Sequence, residues 1–254
     1  MRKTQKLNVP ILTYHSIDDS GSIISTGLDV FQRQMKSLSA SGYNAVSMAD
    51  LAAALTGGET ILPRTVALTF DDGFQNFFTS ALPVLKQHGF NATVFLVSGR
   101  CGEFNDWQGN PVGLPRSRML TWNEVKELSE NGVEVGSHTM THPDLTKIDI
   151  EAARNEIMDS KAAIEDALGR AVTTFAYPFG RYNAEVKDIM KHTFTAACST
   201  NLGKVSRDSD IFSLNRIDCY YLRNQKLFDS VSTSGFDHYI WVRQSMRKFK
   251  SLFN

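Results

Sequence analysis

Two adjacent carboxylates follow a stretch of the chain that is apolar enough to form a buried strand. Residues 65–70 (Thr-Val-Ala-Leu-Thr-Phe) are apolar or β-branched, and Asp71, Asp72 and Gly73 come directly after them. Neighbouring carboxylates repel each other, so a pair at the mouth of a core strand is usually held by a cation, by hydrogen bonds or by a shared proton. An isolated Asp-Asp-Gly is more often a solvated turn, but after such a strand it predicts a polar site.

A second strand-like run ends in two histidines. Residues 133–137 (Val-Glu-Val-Gly-Ser) lead into His138 and His142. If the chain turns helically there, both imidazoles share one face. One carboxylate and two neutral imidazoles are typical of a catalytic zinc ion or a similar divalent ion with one coordination position open. A lone histidine pair is often a surface feature, but two motifs that each follow a predicted strand favour a metal site, with the second carboxylate free to act as a base.

The composition is that of an ordinary globular protein. Of the 254 residues, 42% are hydrophobic and 21% are charged, and Lys+Arg equals Asp+Glu at 27 each, so no basic field indicates a nucleic-acid partner. The three cysteines, Cys101, Cys198 and Cys219, show no CxxC spacing. This argues against a disulfide framework and against a structural zinc cluster, and favours buried thiols.

The terminal segments of the chain are the basis for predicting its cellular location. Residues 1–7 are basic and run directly into a strand-like segment without the apolar core of a signal peptide, and no stretch reaches the roughly 18 apolar residues of a membrane helix. We expect a cytoplasmic chain, unless a signal peptide has been removed from it. The basic segment 244–250 predicts an ordinary terminal helix, with a membrane-surface helix as the less favoured alternative.

Strands and helices alternate along the sequence, which predicts a parallel α/β architecture. We expect one catalytic domain over residues 1–254, with a core at about 9–220 and a helical tail at about 225–254. The predicted strands lie at 9–17, 44–47, 65–70, 91–97, 133–137, 172–177 and 194–198, and the predicted helices lie at 48–55, 75–88, 121–131, 149–168 and 183–192, with one more that ends near 42.

If the parallel α/β architecture is a barrel, two further residues are candidates for the rim at the carboxyl ends of its strands. His15 ends the first predicted strand, and it is either a hydrogen-bonded core histidine or a side chain that opens onto the same rim as Asp71 and His138. Trp107 lies in a long predicted rim loop at 101–118. Its indole is equally consistent with a platform for stacking sugars and with an anchor for its own loop.

The motifs at 69–73 and 137–142 resemble the first two motifs of the polysaccharide deacetylases, the NodB-homology domain of carbohydrate esterase family 4. The resemblance extends over about 9–220 and is closest in motif pattern to poly-N-acetylglucosamine deacetylases. It implies a distorted (β/α) barrel and metal-dependent removal of N-acetyl groups from amino sugars in a polysaccharide, an oligosaccharide or a glycan precursor. The implied ligands are Asp72, His138 and His142, which would hold Zn²⁺, with Co²⁺ or Ni²⁺ as substitutes, and Asp71 would be the base.

The third and fifth motifs of the family are altered here. Residues 175–180 fall where an Arg-Pro-Pro-Tyr-like run is expected, so that Ala176 replaces the arginine and Phe179 replaces the tyrosine. The resemblance assigns the backbone N–H at position 179 to the oxyanion hole, and a backbone donor survives the change of side chain. In the fifth motif, Leu-x-His in many members, the leucine of the acetyl-methyl pocket is Leu214 and the histidine is replaced by Arg216.

These replacements predict two compensations. His15 would act as the general acid, as described for relatives that share a Tyr-His near the start of the domain, and Arg216 would reach Asp71 in place of the missing arginine. Two alternatives stay open: the same site could hydrolyse a non-sugar amide or a cyclic imide, or the chain could be a catalytically silent carbohydrate-binding protein. The sequence leaves the oligomeric state undetermined.

Overall fold

A computed structural model describes residues 8–57, 61–110 and 113–251 of the chain. The strands are β1 (Ile11–Tyr14), β2 (Ser16–Ile17), β3 (Ser25–Thr26), β4 (Asn44–Val46), β5 (Thr65–Phe70), β6 (Thr93–Leu96), β7 (Glu134–Ser137), β8 (Thr174–Ala176), β9 (Ala196–Leu202) and β10 (Leu214–Asp218). The helices are α1 (Leu28–Ala40), α2 (Met48–Thr56), α3 (Leu82–His88), α4 (Trp122–Glu130), α5 (Ile150–Leu168), α6 (Ala184–Thr193), α7 (Gln225–Asp229) and α8 (Ser234–Ser251).

Seven parallel strands close into a barrel. Around the ring, β1 pairs with β5, followed by β6, β7, β8, β9 and β10, and β10 pairs with β1 again. Strand β4 adds to the first half of β5 outside the ring, and β2 and β3 form a separate two-stranded ribbon. The expected distorted (β/α) barrel is confirmed, and the carboxyl ends of its strands meet at one rim.

Strand β5 shows how the sequence places a carboxylate in the mouth of the barrel. All six of its residues are buried, as expected for a parallel strand covered on both faces. Phe70 packs outward against Phe31 and Phe77, with ring centroids 5.8 and 4.6 Å away. Thr69 faces inward, where its hydroxyl lies 3.1 Å from that of Thr13. Since successive residues alternate between faces, Asp71 also faces inward.

The segment after the Asp pair is interrupted beside Pro83. Helical structure was expected over 75–88, with a kink or an early break at Pro83 left open, and the chain forms one π-helical turn at Phe77–Ala81 and then α3, with Pro83 in the first turn of α3. Proline lacks an N–H donor and is tolerated only in the first turn of an α-helix, so α3 begins beside it. The strand predicted at 194–198 begins two residues later and extends to Leu202.

The C-terminal helix α8 lies within the segment that was predicted as a helical tail. Phe236 and Ile240 are buried against the body of the protein, whereas Trp241 and Met246 are exposed. In the described ranges no helix combines the length and the apolar character that crossing a membrane requires. The predictions made for residues 1–7, for the side chains of 247–250 and for 252–254 fall outside what the structure describes.

Candidate active site

Three strand ends deliver predicted site residues to the rim of the barrel. Asp71 follows β5, and its N–H donates to the carbonyl of Tyr14 at the end of β1 (3.0 Å). His138 follows β7, and its N–H donates to the carbonyl of Leu96 at the end of β6 (2.8 Å). His15 follows β1 and lies at the same rim. The sheet register therefore brings together residues that are far apart in sequence.

Asp72, His138 and His142 form the predicted three-ligand group. The Nε2 atoms of His138 and His142 lie 3.4 and 3.5 Å from Oδ1 of Asp72, and the three ligand atoms are all within 4.8 Å of one another. All three side chains are buried. Nδ1 of His138 is hydrogen-bonded to the carbonyl of Ala176 (2.6 Å). This outer partner leaves Nε2 available to bind a metal ion. The donor set, geometry and outer partner fit a divalent metal ion.

Burial and neighbouring charges shift the pKa values of the two imidazoles in opposite directions. Burial lowers the pKa of His142 to about 4, so its ring is neutral at pH 7 and able to bind a cation. Burial also opposes protonation of His138, but its hydrogen bond with Asp72 and the charge of Asp71 outweigh burial and raise its pKa above the ordinary value. A cation therefore competes with a proton at His138, and metal binding should weaken in acid.

The loop that carries the two histidines is not helical, so the condition under which both imidazoles would share one helix face is not met. Residues 138–149 contain neither helix nor strand, and Thr139 and His142 adopt left-handed backbone angles, φ 69° and φ 63°. The N–H of His142 donates to the hydroxyl of Thr139 (3.0 Å), which closes the turn. The imidazole centroids are nevertheless 4.9 Å apart. Left-handed angles cost about 1–3 kcal/mol at each non-glycine residue, and Asp72 (φ 74°) carries the same strain.

Asp71 is held by Arg216 across the barrel. Nη1 and Nη2 of the guanidinium each lie 2.6 Å from one carboxylate oxygen, and Nε donates to the carbonyl of Ser199 (2.9 Å). Both side chains are almost fully buried. Burial alone would raise the pKa of Asp71, but the charge of Arg216 outweighs it and holds that pKa well below its usual range. The predicted contact between these two residues is present.

His15 is the partly open member of the site. Its Nε2 lies 4.0 Å from Oδ2 of Asp71, and 21% of its side chain is exposed. The bend that carries it is held by Asn76, whose amide donates to the hydroxyl of Ser16 (2.6 Å) and accepts from the N–H of Ile17 (3.1 Å). His15 can therefore face both the carboxylate and an incoming molecule. Asn76 was not a candidate from the sequence, because it lies in the helix predicted at 75–88, where a polar side chain is normally solvated.

The indole in the rim loop packs inward against the predicted ligand His142. The indole of Trp107 is only 7% exposed and packs with Phe74, Val97 and Met119. Its ring lies 5.0 Å from the imidazole of His142. The interpretation as an anchor for its own loop is therefore correct, and the same packing restrains His142.

Three comparisons with known proteins agree on one family. The model of the polysaccharide deacetylase family matches residues 59–196. YxkH of Bacillus subtilis, a protein named for this family, is 30% identical over 240 residues, which is 94% of this chain and 78% of that protein. The chain belongs to the polysaccharide deacetylase family.

Two further family members bear on fold and chemistry. The structure of the Streptococcus pyogenes deacetylase PplD in complex with acetate superposes with a TM-score of 0.74 at 28% identity, covering 84% of this chain and 93% of that one. The peptidoglycan-N-acetylglucosamine deacetylase PgdA of Listeria monocytogenes is 34% identical over 126 residues, 49% of this chain and 23% of the Listeria protein. The family is one of deacetylase enzymes, in agreement with the predicted hydrolase.

The family's altered third and fifth motifs can now be located. Phe179 has a left-handed backbone (φ 56°), and its ring lies 4.7 Å from that of His142. The role of its N–H as an oxyanion donor stays a prediction. Leu214 is fully buried with Ala176 and Cys198 in the barrel interior, two residues before Arg216. Its role in an acetyl-methyl pocket stays a prediction.

Besides Asn76, one other residue that supports this site was not predicted from the sequence. Glu156 on α5 accepts hydrogen bonds from the loop between the two histidines. In the sequence it is one acidic residue of an amphipathic helix whose buried stripe includes Ala153 and Ile157. Such a residue is normally solvated, so no local signal distinguishes it.

Proposed function

We propose that this chain is a metal-dependent N-deacetylase acting on N-acetylated amino sugars of a glycan or its precursor. The observation that carries the proposal is the buried group of Asp72, His138 and His142 beside an ionised Asp71 at one barrel rim. The names of two relatives support it, a peptidoglycan-N-acetylglucosamine deacetylase and a deacetylase in complex with acetate. Zn²⁺ is the proposed ion, with Co²⁺ or Ni²⁺ as replacements, because a carboxylate and two imidazoles suit all three.

The roles follow from charge and position. A divalent ion bound at Asp72 and the two histidines would polarise the acetamide carbonyl and lower the pKa of the attacking water. Asp71 accepts the proton of that water, since Arg216 keeps the carboxylate ionised. The N–H of Phe179 donates to the developing oxyanion, and one such donor is worth about 3 kcal/mol. His15 then protonates the nitrogen as the C–N bond breaks, which releases acetate and the free amine.

Acetate release tests the proposal. The chain is stripped with a chelator, restored with Zn²⁺ or Co²⁺, and supplied with N-acetylglucosamine oligomers and a panel of acetylated amino sugars. We expect release that disappears with the metal and returns with it. Hydrolysis of imides or simple amides alone would contradict the sugar substrate and favour the non-sugar alternative. A chain that binds no metal and releases no acetate would favour a silent carbohydrate-binding protein.

Replacing His15 tests the assignment of the general acid. We expect His15→Gln to lower turnover of sugar substrates about 10²- to 10⁴-fold, the usual contribution of a positioned acid or base, with metal content unchanged. An N-acetylated arylamine, whose leaving amine needs less help from a proton, should be affected much less. The control is His192→Gln, because His192 is exposed on α6 and forms its hydrogen bond and ion pair with Asp188 of the same helix.

The His15 assignment fails if both substrates slow equally or if neither slows. Equal slowing would indicate that His15 acts before the amine leaves, for example in binding. Unchanged rates would require a different proton donor.

A further inference from the structure

The loop between His138 and His142 is hydrogen-bonded to a carboxylate that does not belong to the proposed metal ligands, that of Glu156. We propose that Glu156 is a positioning residue of the metal centre, an inference that rests on the proposed function. Its carboxylate holds the backbone that sets the directions of His138 and His142, without contacting the substrate or the ion.

The contacts of Glu156 are directed at the loop. Oε2 accepts the N–H groups of both Met140 and Thr141, each at 2.9 Å, and Oε1 accepts the hydroxyl of Thr141 at 2.6 Å. Hydrogen bonds to a carboxylate are roughly twice as strong as neutral ones. Two successive N–H groups that converge on one oxygen form a small anion-binding concavity. This concavity lies between the two histidines.

The opposite side of the loop is held by residues 98 and 99, through two backbone hydrogen bonds and through the hydroxyl of Ser98, which donates to Sδ of Met140 (3.1 Å). The N–H of Ser98 donates to the carbonyl of Thr139 (3.1 Å), and the N–H of Gly99 donates to the carbonyl of Met140 (3.0 Å). The approach is so close that a Cβ at Gly99 would lie 2.6 Å from the Met140 oxygen. The loop is therefore clamped between residues 98–99 and α5, and loss of Glu156 releases one side of the clamp.

Glu156 takes part in none of the ion pairs found among the residues that the structure describes. Glu151, one and a half turns earlier on the same helix, is different: it is 74% exposed and lies 3.8 Å from Arg154. The two glutamates thus form a matched pair for mutation, with the same substitution on the same helix but only one of them bonded to the metal loop.

The experiment measures metal binding in the absence of substrate. Dissociation constants for Zn²⁺ and Co²⁺ are determined by chelator competition for the wild type, Glu156→Gln and Glu151→Gln, together with the visible spectrum of the Co²⁺ forms and the unfolding of the metal-free proteins. Glutamine keeps the size of the side chain but has one acceptor oxygen and no charge. We expect Glu156→Gln to weaken metal binding about 10- to 100-fold, as is typical of outer-shell partners, and to alter the Co²⁺ spectrum. Glu151→Gln should leave both unchanged.

Each outcome decides the proposal. Wild-type affinity and spectrum in Glu156→Gln would overturn it. If that variant fails to fold, Thr141→Val, which removes only the 2.6 Å hydroxyl bond, should weaken metal binding in the same direction, and unchanged affinity would overturn the proposal. Bound metal without acetate release would contradict the proposed function but leave Glu156 in its role. A wild-type chain that binds neither Zn²⁺ nor Co²⁺ would overturn both.

Discussion

Asp71→Asn is expected to lower turnover about 10²- to 10⁴-fold while the protein keeps its full complement of metal. Asparagine cannot accept a proton from water, whereas the ligand group of Asp72, His138 and His142 stays intact. The measurement is kcat on N-acetylglucosamine oligomers, combined with metal content after dialysis. The unfolding of the metal-free variant should be followed in parallel, since Arg216 keeps only a neutral partner.

His138→Ala is the matched contrast. Removing this ligand should abolish both metal retention and turnover, because one of the three contributors to the buried group is lost. The two variants therefore separate the adjacent aspartates into a base and a ligand. Equal loss of metal in Asp71→Asn and His138→Ala would refute that division of roles.

The second large effect concerns stability. Arg216→Ala leaves the carboxylate of Asp71 buried without its cation, and breaking a buried pair from one side typically costs about 3–5 kcal/mol. Urea unfolding at pH 7 measures the loss. The control is Arg33→Ala, which removes an exposed pair with Asp29 on α1 and should cost no more than about 1 kcal/mol. Similar losses in the two variants would show that the Asp71–Arg216 pair contributes no more than a surface pair.

The same pair predicts a pH effect. Because Arg216 holds the pKa of Asp71 well below its usual range, the stability that the pair contributes is fully present above the unfolded-state pKa and is lost only as pH falls through the lowered folded value. In Arg216→Gln, burial acts on Asp71 without that cation and raises its pKa. The acid side of the profile of kcat against pH should therefore move to higher pH. An unchanged profile would show that protonation of Asp71 does not cause the loss of activity in acid.

Much of the fold and of the site was predictable because strand ends are easy to recognise. The Asp71–Asp72 pair and His138 each follow an apolar run, and in a parallel barrel the carboxyl ends of strands converge at one rim. Arg216 was predicted to reach Asp71 from the altered motifs, and the structure contains that contact.

The details that the sequence did not reveal are those that depend on the backbone of loops and on distant partners. A helical turn places residues i and i+4 on one face, but His138 and His142 converge through left-handed angles that no spacing rule predicts. Glu156 and Asn76 are polar residues in positions where most polar residues are solvated. Only the fold shows that they bond to the segments that carry His142 and His15.

The strained backbone of the site also affects how its descendants can evolve. Asp72, Thr139, His142 and Phe179 hold positive φ angles that glycine adopts without steric cost. Selection for hydrolysis keeps the larger side chains in place. In a duplicated gene released from that selection, replacement of one of them by glycine relieves the strain, which offsets part of the packing lost with the side chain and makes such inactivating mutations less costly to the fold.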